Sequence, residues 1–129
     1  MSNNDDPEKL LGQSKEQFVK YLESQDSDVF AEAGELLWES LKAHMVQETY
    51  IKTNNFKTLT MAASQMGERF NKLFFHCCHF HSWYLGVGVP NDFAAEKKLY
   101  LESVKSLEKM IRNKGNNRRT KKKELEKAT

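Results

Sequence analysis

The sequence predicts an all-α fold, a four- or five-helix antiparallel bundle, and three observations favour it. Apolar residues recur at steps of three and four along most of the chain. Strand signals are almost absent, since the only β-like dipeptides lie in the short GVGV segment. Short polar turns separate the periodic stretches, which favours antiparallel packing of neighbouring helices.

Composition sets the broad class. A chain of 129 residues is expected to form one domain with a single core. No long uncharged apolar run is present, and the polar, acidic N-terminus does not resemble a signal peptide. Both cysteines are adjacent, at Cys77 and Cys78, so a disulfide framework is excluded. These features predict a cytoplasmic protein with reduced thiols.

The first helix is predicted to begin with Asp6 as N-cap and Pro7 as the first helical residue, and to end near Glu23. Residues 1–6 are expected to be disordered, and residues 7–114 to form the helical domain. One apolar face of this helix is predicted to carry Leu11, Phe18 and Leu22.

The second helix is predicted to start at Asp26 or Ser27, with one of them as cap, and to end between Glu48 and Tyr50. Its apolar stripe consists of five residues at helical spacing: Phe30, Ala33, Leu37, Leu41 and Met45. Gly34, next to this stripe, is small enough to let another helix approach closely.

The third helix is predicted to begin near Asn55, with Leu59, Ala62, Ala63 and Met66 facing inward. Gly67 either separates it from the next helix or bends one long helix, and the sequence leaves both alternatives open. The last helix is predicted to be capped by Asn91 or Asp92 and to stop at Gly115. Its stripe is Phe93, Tyr100, Val104, Leu107 and Ile111.

The central helix, which includes RFNKLFFHCCHFHSWY at residues 69–84, is the chemically richest part of the chain. Steps of three and four predict an apolar face of Met66, Phe70, Leu73, Phe74, Cys77, His81 and Tyr84. The same steps predict a polar face of Gln65, Arg69, Lys72, His76 and His79. This helix therefore has one side for the core and one side for chemistry or for solvent.

The segment FHSWYLGVGVPNDFAAEKKLYLESVKSLEKMI resembles the end of the small archaeal repetitive-protein (PaREP) group. There, a helix closes on a Leu-His-x-Asn-Phe-Tyr-like motif, which matches Phe80, His81, Trp83 and Tyr84, with Ser82 in place of the Asn. The segment FAEAGELLWESLKAH is similar to the group's second helix. The resemblance covers about residues 15–111 and implies a HEPN-like helical bundle.

What the resemblance implies for function is twofold. HEPN-like proteins include dimeric, metal-independent ribonucleases, often toxins of toxin–antitoxin pairs, which carry an Arg and a His on one helix. Others are nonenzymatic partners of nucleotidyltransferases. We therefore expect an interaction module, working as a homodimer, that binds RNA or a protein such as a nucleotidyltransferase or an antitoxin. The alternative is an endoribonuclease.

Arg69 and His76 are the candidate catalytic pair. They are about two helical turns apart, so both side chains are predicted to point the same way. Metal-free RNA cleavage needs a base near the 2′-hydroxyl and a cation for the phosphorane charge, and these residue types suit both roles. An ordinary surface or interface pair is the alternative interpretation.

The remaining candidates carry weaker signals. A metal site would have to use His76, Cys77, Cys78, His79 and His81. No three of these converge on a straight helix, and His44 is the only other His, so no metal or cofactor is expected. His81, Trp83 and Tyr84 are predicted to be a structural motif, with His81 as a hydrogen-bonded core histidine.

The C-terminal residues 115–129 are predicted to be a mobile basic tail. From Arg112 to Lys127 the chain has eight Lys or Arg and two Glu, against a net charge of +2 for the whole chain. Such a tail either contacts RNA phosphates or only increases solubility. The candidate nucleic-acid-binding residues are Arg118, Arg119, Lys121, Lys122 and Lys123.

Overall fold

Five helices pack together in the computed structural model, which describes the backbone of residues 6–88 and 90–128 and the side chains of residues 6–88 and 90–113. The helices are α1 (Pro7–Ser24), α2 (Ser27–Thr49), α3 (Phe56–Gln65), α4 (Glu68–Tyr84) and α5 (Phe93–Ala128). The described residues include no β-strand. The predicted all-α class is thus confirmed.

The helix starts follow the predicted caps. The Asp6 carboxylate accepts hydrogen bonds from the amides of Glu8 and Lys9, and Pro7 is the first residue of α1. Asp26 caps α2 and Asn55 caps α3 in the same manner. Each cap satisfies backbone N–H groups that have no partner within the helix.

The helix between Asn55 and Leu85 is divided in two. α3 ends at Gln65, α4 begins at Glu68, and Gly67 lies between them with φ 112°. A side chain is strained at that backbone angle, so glycine permits the break.

The core is centred on Phe30 of α2, which is fully buried. Its ring lies 4.7 Å from the ring of Tyr21, 4.9 Å from that of Trp83 and 5.8 Å from that of Tyr100, measured between centroids. These rings come from α1, α4 and α5, so one aromatic residue joins four helices. The predicted stripe of α2 is buried along its whole length.

Two of the predicted core positions are wrong. Leu22 is exposed, and Tyr21 is the buried residue at the end of α1. Tyr84 is 49% exposed, whereas Phe80 and Trp83 are buried at the end of α4. Trp83 packs against Phe30, and the buried stripe of α4 continues from Cys77 to Phe80 and Trp83 in steps of three rather than in a step of four to His81.

The last helix does not stop at Gly115, as predicted, but continues to Ala128. One glycine costs only about 1 kcal/mol inside a helix relative to alanine. Lys and Arg residues lie on both sides of Gly115 and are good helix formers, so the cost of this glycine is not enough to break the helix.

Candidate functional site

A groove between α4 and α5 is the main candidate site. It encloses about 470 Å³. α4 contributes Arg69, Lys72, Leu73 and His76. α5 contributes Glu102, Ser103, Ser106, Lys109, Met110 and Asn113. The volume suits a small ligand or one unit of a polymer.

The register of α4 aims its polar side chains into this groove. Lys72 comes three residues after Arg69 and four residues before His76, so the three form one column on the helix. Phe70 and Phe74, on the other side of the helix, are buried in the core. Arg69 and His76 line the same cavity, which confirms the prediction that they face the same way.

The groove is predominantly cationic. Among the described side chains, Arg69, Lys72 and Lys109 line it against a single carboxylate, that of Glu102. Leu73 and Met110 supply an apolar part of the lining. Positive charges at this density attract an anion with more than one oxygen, such as a phosphate group.

The surroundings of His76 favour the neutral form of its imidazole, because they lower its pKa. Partial burial lowers the pKa of its imidazole below the ordinary value, and the Lys72 ammonium lowers this pKa further. The Glu102 carboxylate acts in the opposite direction, with a smaller effect. At neutral pH the imidazole is therefore mainly unprotonated and can accept a proton.

Ser103 lies in the lining of the groove. The residue is 1% exposed, and its hydroxyl has no hydrogen-bond partner among the described residues. Buried hydroxyls are usually paired, because an unpaired one costs free energy. Because the Ser103 oxygen itself is buried, it does not present a polar atom to a ligand in the open groove.

The two other histidines of α4 lie within hydrogen-bond distance of carboxylates, away from the groove lining. His79 Nε2 lies 2.8 Å from the Glu96 carboxylate on α5. His81 Nδ1 lies 2.7 Å from the Glu35 carboxylate on α2, and its ring stacks on Trp38 at 5.0 Å between centroids. The first contact joins α4 to α5, and the second joins α4 to α2. His81 is hydrogen-bonded, as predicted, but it is only partly buried and is not a residue of the core.

The structure distributes the five metal-ligand candidates over different surroundings. Cys77 is buried in the core, while His79 and His81 are engaged by carboxylates on two different helices. Within the described ranges, no group of three His, Cys, Asp or Glu side chains is arranged to hold a metal ion.

Both thiols are in surroundings that disfavour the thiolate. Burial raises the pKa of Cys77 strongly and raises that of Cys78 to about 12. Neither cysteine is an activated nucleophile at neutral pH, because the thiolate is the reactive form.

The predicted nucleic-acid-binding side chains of Arg118, Arg119, Lys121, Lys122 and Lys123 lie outside the described side chains. Conversely, Lys109, Ser103 and Ser106 line the groove and were not predicted. The signal for them is the polar series Glu102, Ser106, Lys109 and Asn113, which recurs at helical spacing on α5.

Comparison with known proteins gives no relative: no family model matches the chain, and no curated protein and no solved structure matches it. In the described part of the chain, no helix combines the length and apolar character that a membrane crossing requires. The geometry of the groove is therefore the basis for a functional proposal.

Proposed function

We propose that the protein is a HEPN-like antiparallel helical module, active as a homodimer, that binds RNA through the groove between α4 and α5. The observation that carries this proposal is the convergence of Arg69, Lys72 and Lys109 on one cavity with one opposing carboxylate. RNA presents a regular series of phosphate anions, which such a cavity attracts.

The kinds of side chain in the groove support a phosphate ligand in particular. The Arg69 guanidinium can donate two parallel hydrogen bonds to one phosphate. The cationic side chains of the groove would not contribute to the binding of an apolar ligand.

α5 extends the basic character beyond the groove. Its backbone continues to Ala128, and the chain from Arg112 to Lys127 has eight basic residues and two acidic ones. One helix thus carries both Lys109 and a basic segment, so a bound strand can run from the groove along it. Removal of residues 115–129 is expected to weaken binding and flatten its salt dependence.

The test is the salt dependence of RNA binding, measured by fluorescence anisotropy with a labelled single-stranded oligonucleotide. Each lost phosphate contact reduces the slope of log affinity against log salt by about 0.7 for single strands. The double variant Lys72→Ala, Lys109→Ala should reduce it by about 1.4. Lys20→Ala, an exposed change on α1, is the matched control and should leave the slope unchanged.

Absence of binding by the wild-type chain at low salt would refute the proposal. An equal loss of affinity in the control and in the double variant would show that binding depends on overall charge and not on the groove.

A second candidate function is metal-independent cleavage of RNA, and a specific observation favours it. Arg69 and His76 line one cavity, and the pKa of His76 is lowered, so a neutral imidazole faces the groove. His76 would take the proton of a 2′-hydroxyl, and the 2′-oxygen would attack the adjacent phosphorus. Arg69 would stabilise the extra negative charge, and the departing 5′-oxygen would be protonated by solvent.

Cleavage of an oligonucleotide in EDTA tests this candidate. His76→Ala should abolish cleavage while leaving helicity and RNA affinity nearly intact. Tyr84→Ala, at an exposed position of the same helix, is the control and should retain activity. Intact RNA after long incubation with the wild-type chain would leave only the binding function.

Dimerisation belongs to the same proposal. The groove between α1 and α5 is mainly apolar, and Val19 and Leu101, each 53% exposed, line it. A second copy would cover these side chains. Sedimentation should show a species of twice 15.0 kDa, which the double variant Val19→Glu, Leu101→Glu should dissociate. A wild-type monomer at high concentration would refute the dimer, and a protein partner such as a nucleotidyltransferase or antitoxin would then be sought for this surface.

A further inference from the structure

Phe75 is an aromatic side chain that the core does not use. It lies on α4 three residues after Lys72, and it is 50% exposed. Residues three apart on a helix have Cβ atoms about 5–6 Å from each other. Phe75 is not among the described lining residues of the groove, so its side chain lies outside the groove, on the side of α4 next to Lys72.

The Phe75 ring contacts the ring of a buried aromatic residue, Phe74. It packs against Phe74 at 5.7 Å between centroids, with an angle of 75° between the rings. Phe74 is fully buried and lies 5.5 Å from the Trp38 ring in turn. The Phe75 ring therefore has one aromatic contact within the protein, and half of the residue is open to solvent, where a flat ligand can stack on the ring.

A cation next to an exposed aromatic ring matches one repeating unit of a single-stranded nucleic acid. The cation binds the phosphate, and the neighbouring base can stack on the aromatic ring. In a duplex the base faces are already covered by their neighbours, so such a ring gains nothing there. The combination of Lys72 and Phe75 therefore favours single-stranded over double-stranded nucleic acid.

Resting on the RNA-binding function proposed above, we infer that the groove takes single-stranded RNA, with the phosphate at Lys72 and a base stacked on Phe75. Stacking is sequence-tolerant, because every base has a π-face. The protein thus selects unpaired RNA without reading a particular sequence.

The experiment compares two labelled ligands, a single-stranded oligonucleotide and a fully paired duplex of the same length. Phe75→Ala should weaken single-strand binding about 10-fold and leave the salt slope unchanged, because no phosphate contact is lost. Phe75→Trp should retain the affinity, whereas Phe75→Leu, which is apolar but has no π-face, should behave like the alanine variant. Duplex affinity should be lower than single-strand affinity and should not respond to these changes.

Tyr84→Ala is the matched control, since Tyr84 is on the same helix and is exposed to the same degree, 49%. It should bind as the wild type does. Circular dichroism of each variant verifies that the helices are intact.

The outcomes separate the two levels of the proposal. If Phe75→Ala binds single strands as tightly as the wild type while the Lys72 and Lys109 changes weaken binding, the stacking inference is overturned and the groove function stands. If duplex and single strand bind equally, the inference is also overturned. If Phe75→Ala converts a dimer to a monomer, the ring belongs to an interface between copies, which likewise overturns it. No RNA binding by the wild-type chain means that the function itself is refuted.

Discussion

A Cβ atom added to Gly34 would lie 2.8 Å from the Cβ of Phe80, closer than such atoms come in proteins. The backbones of α2 and α4 therefore meet at this glycine. The contact seats Phe80 in the core next to Phe30, with 6.2 Å between ring centroids. It also fixes how far α4 stands from α2, and α4 carries the column that lines the groove.

Gly34→Ala is predicted to destabilise the fold by about 1–3 kcal/mol, because the added methyl group pushes α4 away from α2. The matched control is Gly12→Ala in α1, where a Cβ would meet nothing within 4 Å. That change should stabilise the protein by about 0.5–1 kcal/mol, since alanine favours helix. Urea unfolding measures both, and two changes of the same sign and size would contradict the close approach.

A buried hydroxyl pair joins α1 to α5. Ser14 Oγ donates a hydrogen bond to the Ala33 carbonyl at 2.6 Å, so the Tyr100 hydroxyl must donate to Ser14 at 2.7 Å. Tyr100→Phe should cost about 1 kcal/mol, and Ser14→Ala about 1–3 kcal/mol because it leaves the tyrosine hydroxyl buried without a partner. The double variant should cost less than the two single changes together.

Unfolding by urea at pH 7 measures this coupling. Tyr50→Phe, at a residue 87% exposed, should change the free energy of unfolding by less than about 0.5 kcal/mol. Strict additivity of the Ser14 and Tyr100 changes would argue that the hydroxyls do not interact. Burial also raises the pKa of Tyr100 to about 12, so the wild type should lose stability as pH rises above 10, where the unfolded chain ionises first.

The pKa of His76 is predicted to report on the groove. It should lie below 6.5 in the free protein, and Glu102→Gln should lower it further, since that carboxylate favours the imidazolium. Binding of RNA should raise it, because a phosphate anion favours the charged form. An NMR pH titration of the imidazole protons, assigned with His76→Gln, measures all three values, and a pKa unmoved by RNA would place the ligand elsewhere.

The same pKa has a consequence for stability. Because the unfolded chain binds a proton at His76 more readily than the folded one, this residue makes stability fall as pH drops through 6.5 toward the folded-state pKa. Urea unfolding at several pH values, with His76→Gln as reference, isolates this contribution.

The pair of His81 and Glu35 should make its own pH-dependent contribution. Burial raises the pKa of Glu35 above the ordinary value, and the hydrogen bond from His81 partly counteracts this effect. His81→Phe retains a ring on Trp38 but leaves the carboxylate without its partner, so a loss of about 1–3 kcal/mol is expected at pH 7. The loss should shrink as the pH falls, because Glu35 in the folded state takes up a proton above its ordinary pKa of 4.5.

The double variant Glu35→Gln, His81→Phe should remove this pH dependence, as measured by thermal unfolding between pH 4 and pH 7. A loss in His81→Phe that is the same at both ends of this range would indicate that lost packing, rather than the unpaired carboxylate, causes it.

Local signals account for most of what could be predicted. Asp6, Asp26 and Asn55 cap their helices because each cap involves only backbone groups two or three residues away. The stripe of α2 is buried throughout because its spacing is regular. The prediction was wrong at Leu22 and Tyr84, where the choice between two neighbouring positions depends on which partner helix is near.

In the candidate site, too, some features follow from local sequence and others depend on contacts between helices. The common direction of Arg69 and His76 follows from their spacing on one helix, so the sequence predicts it. Lys109 and Ser103 join them only because α5 lies beside α4, and no pattern within one helix contains that information. The roles of Arg69 and His76 in binding or cleavage stay predictions until the variants above are measured.

The sequence by itself determined the all-α class, the caps and the polar and apolar sides of the central helix, because these depend on interactions within a few residues of the chain. Only the tertiary structure decided that Gly67 separates two helices, that Phe80 and Trp83 rather than Tyr84 enter the core, and that α5 completes a cationic groove. These features arise from contacts between side chains far apart in sequence, and such contacts exist only once the helices have packed.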